Sequence, residues 1–173
     1  AFAGSDTWAT SYALSAAIKK IGAFDLIVCG KQASDGDTAQ VGPGISAHLD
    51  VPQVTYVKKI EEIKDNFARV ERMTEEGYEI IEVPLPALIT VVKEINTPRL
   101  PSLKGMMRAK QAKIIHWKAL DIETDSNCVG LVGSPTQVVK IFTPAPRVGG
   151  QMLRGETQEI VEKLVEVLRK EVP

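Results

Sequence analysis

The sequence has few of the residues from which metal sites and disulfide frameworks are built. Its 173 residues include two cysteines, Cys29 and Cys128, and two histidines. The cysteines lie far apart, and neither stands at a metal-ligand spacing, so a zinc site is not expected. Cysteine usage of this kind is typical of a reducing, cytoplasm-like compartment. Cys29 falls in an apolar run, which predicts a buried thiol.

Long apolar runs and an excess of basic charge are also missing. The sequence contains no signal peptide and no apolar run of about 18 residues, so no membrane span is expected. The formal net charge is −1. Nucleic-acid binding is therefore not expected, because no broad basic field is present to collect a phosphate backbone.

The sequence does contain enough apolar material for a folded core. Hydrophobic residues make up 44% of the chain, which suits an α/β protein and argues against disorder. We expect an α/β domain over residues 1–150 and a C-terminal amphipathic helix over residues 151–173 that docks on a partner. The chain begins with Ala1 and opens into a helix start, without the strand that usually feeds such a helix.

Hydrophobic periodicity and turn residues predict the order of the elements. Asp6 caps a first helix that ends at Gly22. The predicted elements that follow are a buried parallel strand at Asp25–Val28, a helix at Thr38–Leu49, an antiparallel β-meander at Gln53–Val83, a buried strand at Ala87–Val92, a helix at Ser102–Gln111, a short strand or edge segment at Ile114–Trp117, an extended segment at Val138–Phe142 and an amphipathic helix at Glu156–Lys170. The pattern indicates an α/β fold with a doubly wound, mostly parallel sheet.

The loop Cys29–Pro43 carries the residues best suited to binding a phosphate. It follows a strand and leads into a helix, the place where α/β proteins build phosphate sites. Lys31 supplies a cation, Gly36 a close backbone approach or a positive φ, and Thr38 a hydroxyl. Asp35 and Asp37 suit the binding of backbone N–H groups or ribose hydroxyls better than they suit an anion. An ordinary connecting loop remains the alternative interpretation.

Two polar runs at predicted helix starts allow further interpretations. In the run Ser5–Thr10, N-capping explains only one residue. The hydroxyls of Thr7 and Thr10 are then available to face a ligand near that helix end. The run Asp35–Thr38 has the letters of a Mg²⁺-dependent phosphatase, but in that chemistry the nucleophilic Asp stands at the end of the strand. Here Asp35 lies five residues beyond Gly30. The loop matches neither the glycine-rich dinucleotide motif nor the Walker A motif.

The segment Lys93–Lys113 mixes basic residues with leucines and methionines. Apolar anchors inside a charged rim favour a protein partner, and the alternatives are a solvated loop or a basic nucleic-acid contact. The segment lacks the aromatic residues that a nucleic-acid site interleaves. Neither His48 nor His116 has a nucleophile or carboxylate nearby in a recognisable pattern, so no catalytic residue is predicted.

Two long motifs resemble the electron transfer flavoprotein β subunit. They are D-L-I-V-C-G-K-Q-A-S-D-G-D-T-A-Q-V-G-P (Asp25–Pro43) and V-V-K-E-I-N-T-P-R-L-P-S-L-K-G-M-M-R-A-K (Val91–Lys110). The resemblance implies an adenine nucleotide α-hydrolase-like fold and a heterodimer with an α subunit that holds its own FAD. It also implies that FAD or AMP lies along Gly30–Val41. The C-terminal helix resembles the arm that, in this family, holds the flavin domain of the α subunit.

The resemblance also assigns residues to two sites. The cofactor-binding set is Asp6, Thr7, Thr10, Gly30, Lys31, Gln32, Ala33, Ser34, Asp35, Gly36, Asp37, Thr38, Ala39, Gln40 and Val41. The partner-docking set, in a loop that resembles the one recognising acyl-CoA dehydrogenases, is Asn96, Pro98, Arg99, Leu103, Met107 and Lys110. Leu103 is the expected apolar anchor.

The sequence departs from the family pattern at its start, where an expected strand and loop with further nucleotide contacts are absent. We therefore expect an N-terminally truncated domain. The run Asp35–Gln40, with Gly4–Thr7 and Gly133–Thr136, is more similar to bacterial flavin-bifurcating members, in which FAD receives hydride from NADH and ferredoxin is an acceptor. A bacterial cytoplasmic location is expected rather than a mitochondrial one. The alternative function is a non-redox adenine-nucleotide sensor.

Overall fold

The structure is a computed structural model that describes residues 1–146, 149–150 and 152–171. Two units are distinguished, Ala1–Gln137 and Val138–Pro173, and the predicted boundary at residue 150 stays a prediction. The elements are α1 (Thr7–Ile21), β1 (Leu26–Gly30), α2 (Val41–Leu49), β2 (Gln53–Ile63), β3 (Phe67–Met73), β4 (Tyr78–Pro84), β5 (Ala87–Val91), α3 (Leu103–Gln111) and α4 (Thr157–Glu171).

A five-stranded sheet in the order β1-β5-β2-β3-β4 forms the centre of the first unit. β5 pairs in parallel with both β1 and β2, whereas β2, β3 and β4 pair in antiparallel fashion. The predicted α/β fold class is confirmed, and the meander expected over Gln53–Val83 is formed by β2, β3 and β4. Parallel strands thus build the half of the sheet that carries the polar loop, and the antiparallel strands extend it to the far edge.

The core lies where β5 and β2 meet β3. The side chains of Val57, Val70 and Ile89 are fully buried there. Residues Ala87 to Thr90 of β5 are all buried, as expected of an apolar strand with a paired neighbour on each side. β3 instead alternates in its first part, with Ala68 and Val70 buried and Arg69 exposed between them.

β1 is an edge strand, so the prediction that it is buried is wrong. Among the described residues it pairs with β5 on one side alone. The side chain of Val28 is consequently 56% exposed. Cys29 is half-buried rather than buried, although its partial burial still raises the pKa of the thiol.

The first helix begins and ends as predicted, but the second begins later. Asp6 caps α1, and Gly22 ends it with a φ of 110°. α2 was expected from Thr38 and starts at Val41. The reason is local: Asp37 and Ala39 have φ values of 49° and 53°, which belong to the left-handed region and exclude a right-handed helix.

The later segments match the predictions in part. α3 is present with Ser102 as its N-cap, and α4 covers the predicted C-terminal helix. The strand expected at Ile114–Trp117 is wrong, since Ile114 and Ile115 are 77% exposed and the described residues offer no strand beside them. Val138–Phe142 was expected to be extended; it joins no described sheet, and its extended conformation stays a prediction.

Candidate functional site

The polar loop leaves the sheet at the carboxyl ends of two parallel strands. Lys31 follows the last residue of β1, and its N–H donates a 2.9 Å hydrogen bond to the carbonyl oxygen of Val91 at the end of β5. Ligands of open α/β sheets bind outside the carboxyl ends of the strands. The fold therefore places residues 31–40 where such a site is built.

The two aspartates hold the loop in shape. The Asp37 carboxylate accepts a hydrogen bond from the Gln32 side-chain amide, and the Asp37 N–H donates to the carbonyl oxygen of Ala33 at 3.0 Å. Asp35 Oδ1 accepts from the N–H of Gly36 at 3.0 Å. These contacts correspond to the loop-fixing role expected of the two residues.

The loop stores backbone strain at two positions that are not glycine. Asp37 and Ala39 are left-handed, a conformation that costs about 1–2 kcal/mol for a residue with a Cβ. Gly36 was expected to supply either a close backbone approach or a positive φ. Its φ lies outside the left-handed region, and nothing stands within 4 Å of the place a Cβ would take, so the open space suits the first of these roles. Strain of this kind persists where the surrounding structure enforces it, and it clusters at ligand sites.

The N-terminus of α2 faces this loop without a side-chain cap. Gln40 is the N-cap residue, and its side chain makes no hydrogen bond to the first turn. Its Oε1 instead accepts a 3.0 Å hydrogen bond from the Thr7 hydroxyl at the start of α1. Uncapped N–H groups and the helix dipole favour an anion at such an end.

The starts of α1 and α2 line an open cavity of about 380 Å³. Its walls include Thr7, Trp8, Ala39 and Gln40. The two helices approach closely because Gly44 faces Ser11, and a Cβ at Gly44 would lie 2.3 Å from the Ser11 Oγ. Thr7, Ala39 and Gln40, three of the predicted site residues, are thus brought together by tertiary packing.

Asp6 is occupied by the chain itself. Its Oδ1 accepts hydrogen bonds from the N–H groups of Trp8 and Ala9, and its Oδ2 accepts from the N–H and hydroxyl of Thr136. Burial acts to raise the pKa of this carboxyl, but the hydrogen bonds from Ala9, Thr136 and Trp8 outweigh burial and lower the pKa. A direct contact between Asp6 and a nucleotide stays a prediction.

Other predicted site residues lie elsewhere. Thr10 faces a separate, mostly apolar cavity with Leu14 and Trp117, so it is not grouped with Thr7. All six predicted docking residues are exposed. Leu103, the expected anchor, opens α3 and is 72% exposed.

Sequence reasoning missed two aromatic residues beside the loop. Trp8 is 50% exposed, lines the cavity with Thr7, and packs its ring 4.3 Å from that of His48. Tyr56 lies below Lys31, whose Nζ is 5.2 Å from the ring centroid. The position of Trp8 in the first turn of a predicted helix was a signal that could have identified it. Tyr56 gave no such signal, because it is far from the loop in sequence.

Comparison with known proteins identifies the family. The model of the electron transfer flavoprotein domain matches residues 1–122, which include the loop and the whole of α3. The chain belongs to the electron transfer flavoprotein family. The predicted resemblance to its β subunits is confirmed by the relatives described next.

Three bacterial relatives from this family cover almost the whole chain. The electron transfer flavoprotein subunit beta of Thermoanaerobacterium thermosaccharolyticum is 53% identical over 97% of this chain and 64% of its own length. The caffeyl-CoA reductase-Etf complex subunit CarD of Acetobacterium woodii is 48% identical over 98% of the chain and 65% of its length. The acryloyl-CoA reductase electron transfer subunit gamma of Anaerotignum propionicum is 46% identical over 96% and 65%.

The chain thus spans 64–65% of the length of these electron transfer flavoprotein relatives.

Among the residues that the structure describes, no group of three or more His, Cys, Asp or Glu side chains is placed to hold a metal ion. Within the same ranges, none of the helices is both long and apolar enough to cross a bilayer.

Proposed function

We propose that this protein is the β subunit of a heterodimeric electron transfer flavoprotein that binds FAD, or AMP, along Gly30–Val41. It passes electrons between NADH or acyl-CoA dehydrogenases and their acceptors. The observation that carries the proposal is the uncapped start of α2 beside the strained loop, where Thr7 and Gln40 meet, in a chain of this family.

The residues present fit a nucleotide phosphate. The first-turn N–H groups of α2 supply donors and the dipole favours negative charge. Lys31 supplies a cation at the other end of the loop, and the space around Gly36 is open to close approach. Asp35 and Asp37 do not oppose an anion directly, because their carboxylates are turned to groups of the loop.

The protein's own part is binding and orientation. A bound flavin supplies the redox chemistry, while the chain positions it and sets its surroundings. This division requires no general acid or base from the chain.

FAD is favoured over AMP by the kind of relatives found. Two of them are named as components of caffeyl-CoA and acryloyl-CoA reductase systems, which is consistent with the bifurcating type. In that version NADH is the donor, ferredoxin is one acceptor, and the protein works in the bacterial cytoplasm.

Two exposed elements fit the partners. α3 presents Leu103 and Met107 within a basic segment, which suits docking of an acyl-CoA dehydrogenase. In the second unit, α4 carries the exposed apolar residues Val161, Leu164 and Leu168 on a charged helix, which suits the α subunit, holder of the second FAD.

The test is the nucleotide content of the full-length protein purified with its α subunit. We expect the complex to be yellow and to release FAD from both subunits. A colourless complex would contradict the flavin-carrier function, and release of AMP from this subunit would contradict the bifurcating version. Tight adenylate binding without any α subunit, and without flavin, would support the sensor alternative.

A pair of lysine substitutions tests the site itself. Lys31→Met keeps the apolar stem and removes the charge, so we expect the nucleotide Kd to rise by about tenfold, as for a charge-assisted hydrogen bond. Lys64→Met removes an exposed lysine in the β2–β3 turn that pairs with Glu62, and it should leave the Kd unchanged. Equal Kd values for the two variants would mean that Lys31 does not reach the nucleotide.

A further inference from the structure

Tyr56 has a backbone conformation that its side chain disfavours. Its φ is 60°, and a positive φ in a bulky residue is an outlier that calls for a reason. It lies where the parallel pairing of β2 with β5 shifts register, between Val54 and Val57. Irregularities of this kind re-aim a side chain and are frequent next to active sites.

The surrounding sheet enforces this conformation. The Tyr56 N–H donates a 3.1 Å hydrogen bond to the hydroxyl oxygen of Thr90, a residue that is 2% exposed on β5. Val54 and Val57, on either side of Tyr56, are buried in the core. The direction of the Tyr56 side chain is therefore set by the packing of the sheet.

The Tyr56 ring lies against the first residue of the polar loop. The Nζ of Lys31 is 5.2 Å from the ring centroid, which is within the range of a cation–π contact. The backbone N–H of Lys31 donates its 2.9 Å hydrogen bond to the carbonyl oxygen of Val91. Lys31 is thus held at both ends, at its backbone by β5 and at its ammonium by the ring on β2.

Lys31 differs from the other lysines that are described over an aromatic ring. Each of the others also contacts an oxygen atom of the protein. These pairs are Lys58 with the Glu71 carboxylate, Lys64 with the Glu62 carboxylate, and Lys20 with the Asp121 carbonyl oxygen. Within the described ranges, the Lys31 ammonium has the Tyr56 ring as its partner and forms no ion pair.

The acidic side chains near Lys31 have other partners. The two loop aspartates bind groups of the loop itself. Glu94 lines the same cavity as Lys31 and Tyr56, but its carboxylate lies 4.0 Å from the Nζ of Lys93. An aromatic face attracts an ammonium through its quadrupole and carries no net charge. The positive charge of Lys31 therefore stays available to an anionic ligand.

We propose that Tyr56 is a positioning residue of the nucleotide site, whose ring holds the Lys31 ammonium beside the carboxyl ends of β1 and β5 without neutralising it. The inference rests on the nucleotide site proposed above and adds the residue that orients its cation. A carboxylate in place of the ring would also hold Lys31, but its charge would repel a phosphate. The register shift in β2 is then explained, because it directs the ring to Lys31.

A double-mutant cycle tests the inference. The full-length protein is purified with its α subunit and freed of the nucleotide of this subunit, and FAD and AMP are titrated by calorimetry. Tyr56→Leu removes the ring and keeps an apolar side chain. We expect it to raise the Kd of the tighter-binding nucleotide by about two- to fivefold, the range of a cation–π contact near the surface. In the Lys31→Met background it should leave the Kd unchanged, because the charge that the ring orients is gone.

Matched variants separate this role from a structural one. Tyr56→Phe keeps the ring and should bind as the native protein does. Tyr56→Gly suits the positive φ, so it should remain folded and lose the same affinity as Tyr56→Leu. Tyr78→Leu removes the ring beside Lys58, outside the loop, and should leave the Kd unchanged in both backgrounds.

Three outcomes overturn the inference and leave nucleotide binding standing. A native Kd in Tyr56→Leu would show that the ring does not hold Lys31 in place. An equal loss in both backgrounds would show that Tyr56 acts through the fold and not through Lys31. A native Kd in Lys31→Met would show that the ammonium does not reach the nucleotide. If the native complex binds neither FAD nor AMP at this subunit, the proposed function fails and the inference fails with it.

Discussion

Asp6 joins the start of α1 to a segment that is distant in sequence. One carboxylate oxygen caps the helix, and the other receives the N–H and hydroxyl of Thr136. The Asp6 N–H also donates to the hydroxyl of Ser134 at 2.9 Å. Asp6 therefore fixes the start of α1, where Thr7 lies. Its effect on the candidate site is to position Thr7.

The first prediction concerns this carboxylate. Asp6→Ala removes the cap, so we expect the free energy of unfolding at pH 7 to fall by about 1–2 kcal/mol. The folded pKa of Asp6 is below its ordinary value of 3.8, so the unfolded chain binds the proton more readily. The charge-dependent contribution is fully present above about pH 4 and is lost as the pH falls through the folded pKa.

Urea unfolding at pH 7 and at successively lower pH measures this dependence. The difference between native protein and Asp6→Ala should shrink as the medium becomes acidic. Asp35→Ala serves as the control, because Asp35 is exposed and accepts only the N–H of Gly36 among the described contacts. A difference that stays constant with pH would show that the charge of Asp6 contributes nothing.

At the scale of elements, the site depends on how closely α1 and α2 approach. The Ser11 hydroxyl donates to the carbonyl oxygens of Thr7 and Val41, at 2.6 and 3.2 Å, and so links the two helix starts. Gly44 leaves the room for Ser11, and Gly42 does the same for Thr90 of β5. Small residues are needed here because any Cβ would push α2 away.

The second prediction tests this packing. Gly44→Ala places a Cβ 2.3 Å from the Ser11 Oγ, so we expect a loss of about 1–3 kcal/mol in unfolding free energy from overpacking. Gly36→Ala, where nothing stands within 4 Å, is the matched control and should change it by less than about 0.5 kcal/mol. Ser11→Gly combined with Gly44→Ala should recover part of the loss, and no recovery would mean that the clash lies elsewhere.

The third prediction concerns α3, whose residues are not buried in the described structure. Leu103→Ala should lower the rate of electron transfer to the proposed dehydrogenase partner by about tenfold, since an apolar anchor acts through burial at the partner surface. Nucleotide content and thermal stability should not change. Leu120→Ala, at a side chain that is 90% exposed outside α3, should leave transfer intact, and loss of nucleotide in the Leu103 variant would mean that α3 is misassigned.

At the scale of the whole molecule, the chain divides into two units. The first holds the sheet and the loop, and the second ends in α4. α4 is a helix of 15 residues whose apolar stripe is partly exposed. A single amphipathic helix needs another surface to bury its stripe, which agrees with a role in heterodimer assembly.

The fourth prediction follows for assembly. Leu164→Asp places a charge in the stripe, so we expect the Kd for the α subunit to rise by about tenfold or more. Glu162→Ala, on the charged face, is the matched control and should have little effect. Analytical ultracentrifugation measures the assembly. If both variants assembled like the native protein, the proposal that α4 binds the α subunit would be contradicted.

The sequence by itself determined the elements whose signals are local. Asp6 and Gly22 mark the ends of α1, turn residues separate the strands of the meander, and Ser102 opens α3. It also determined the family, because two long motifs are specific enough to identify it. In each case the residues that carry the information are neighbours along the chain.

The tertiary structure decided what depends on distant residues. Within the described residues it placed β1 at the edge of the sheet, since strand order follows from pairing and not from the apolar run itself. The left-handed conformations of Asp37 and Ala39 move the start of α2 to a later residue than the sequence predicted. Tertiary packing also places the Thr7 hydroxyl within hydrogen-bond distance of Gln40, whereas Thr10 faces a different cavity. It also placed the strained Tyr56 beside Lys31, because a register shift within a sheet leaves no mark that a linear pattern records.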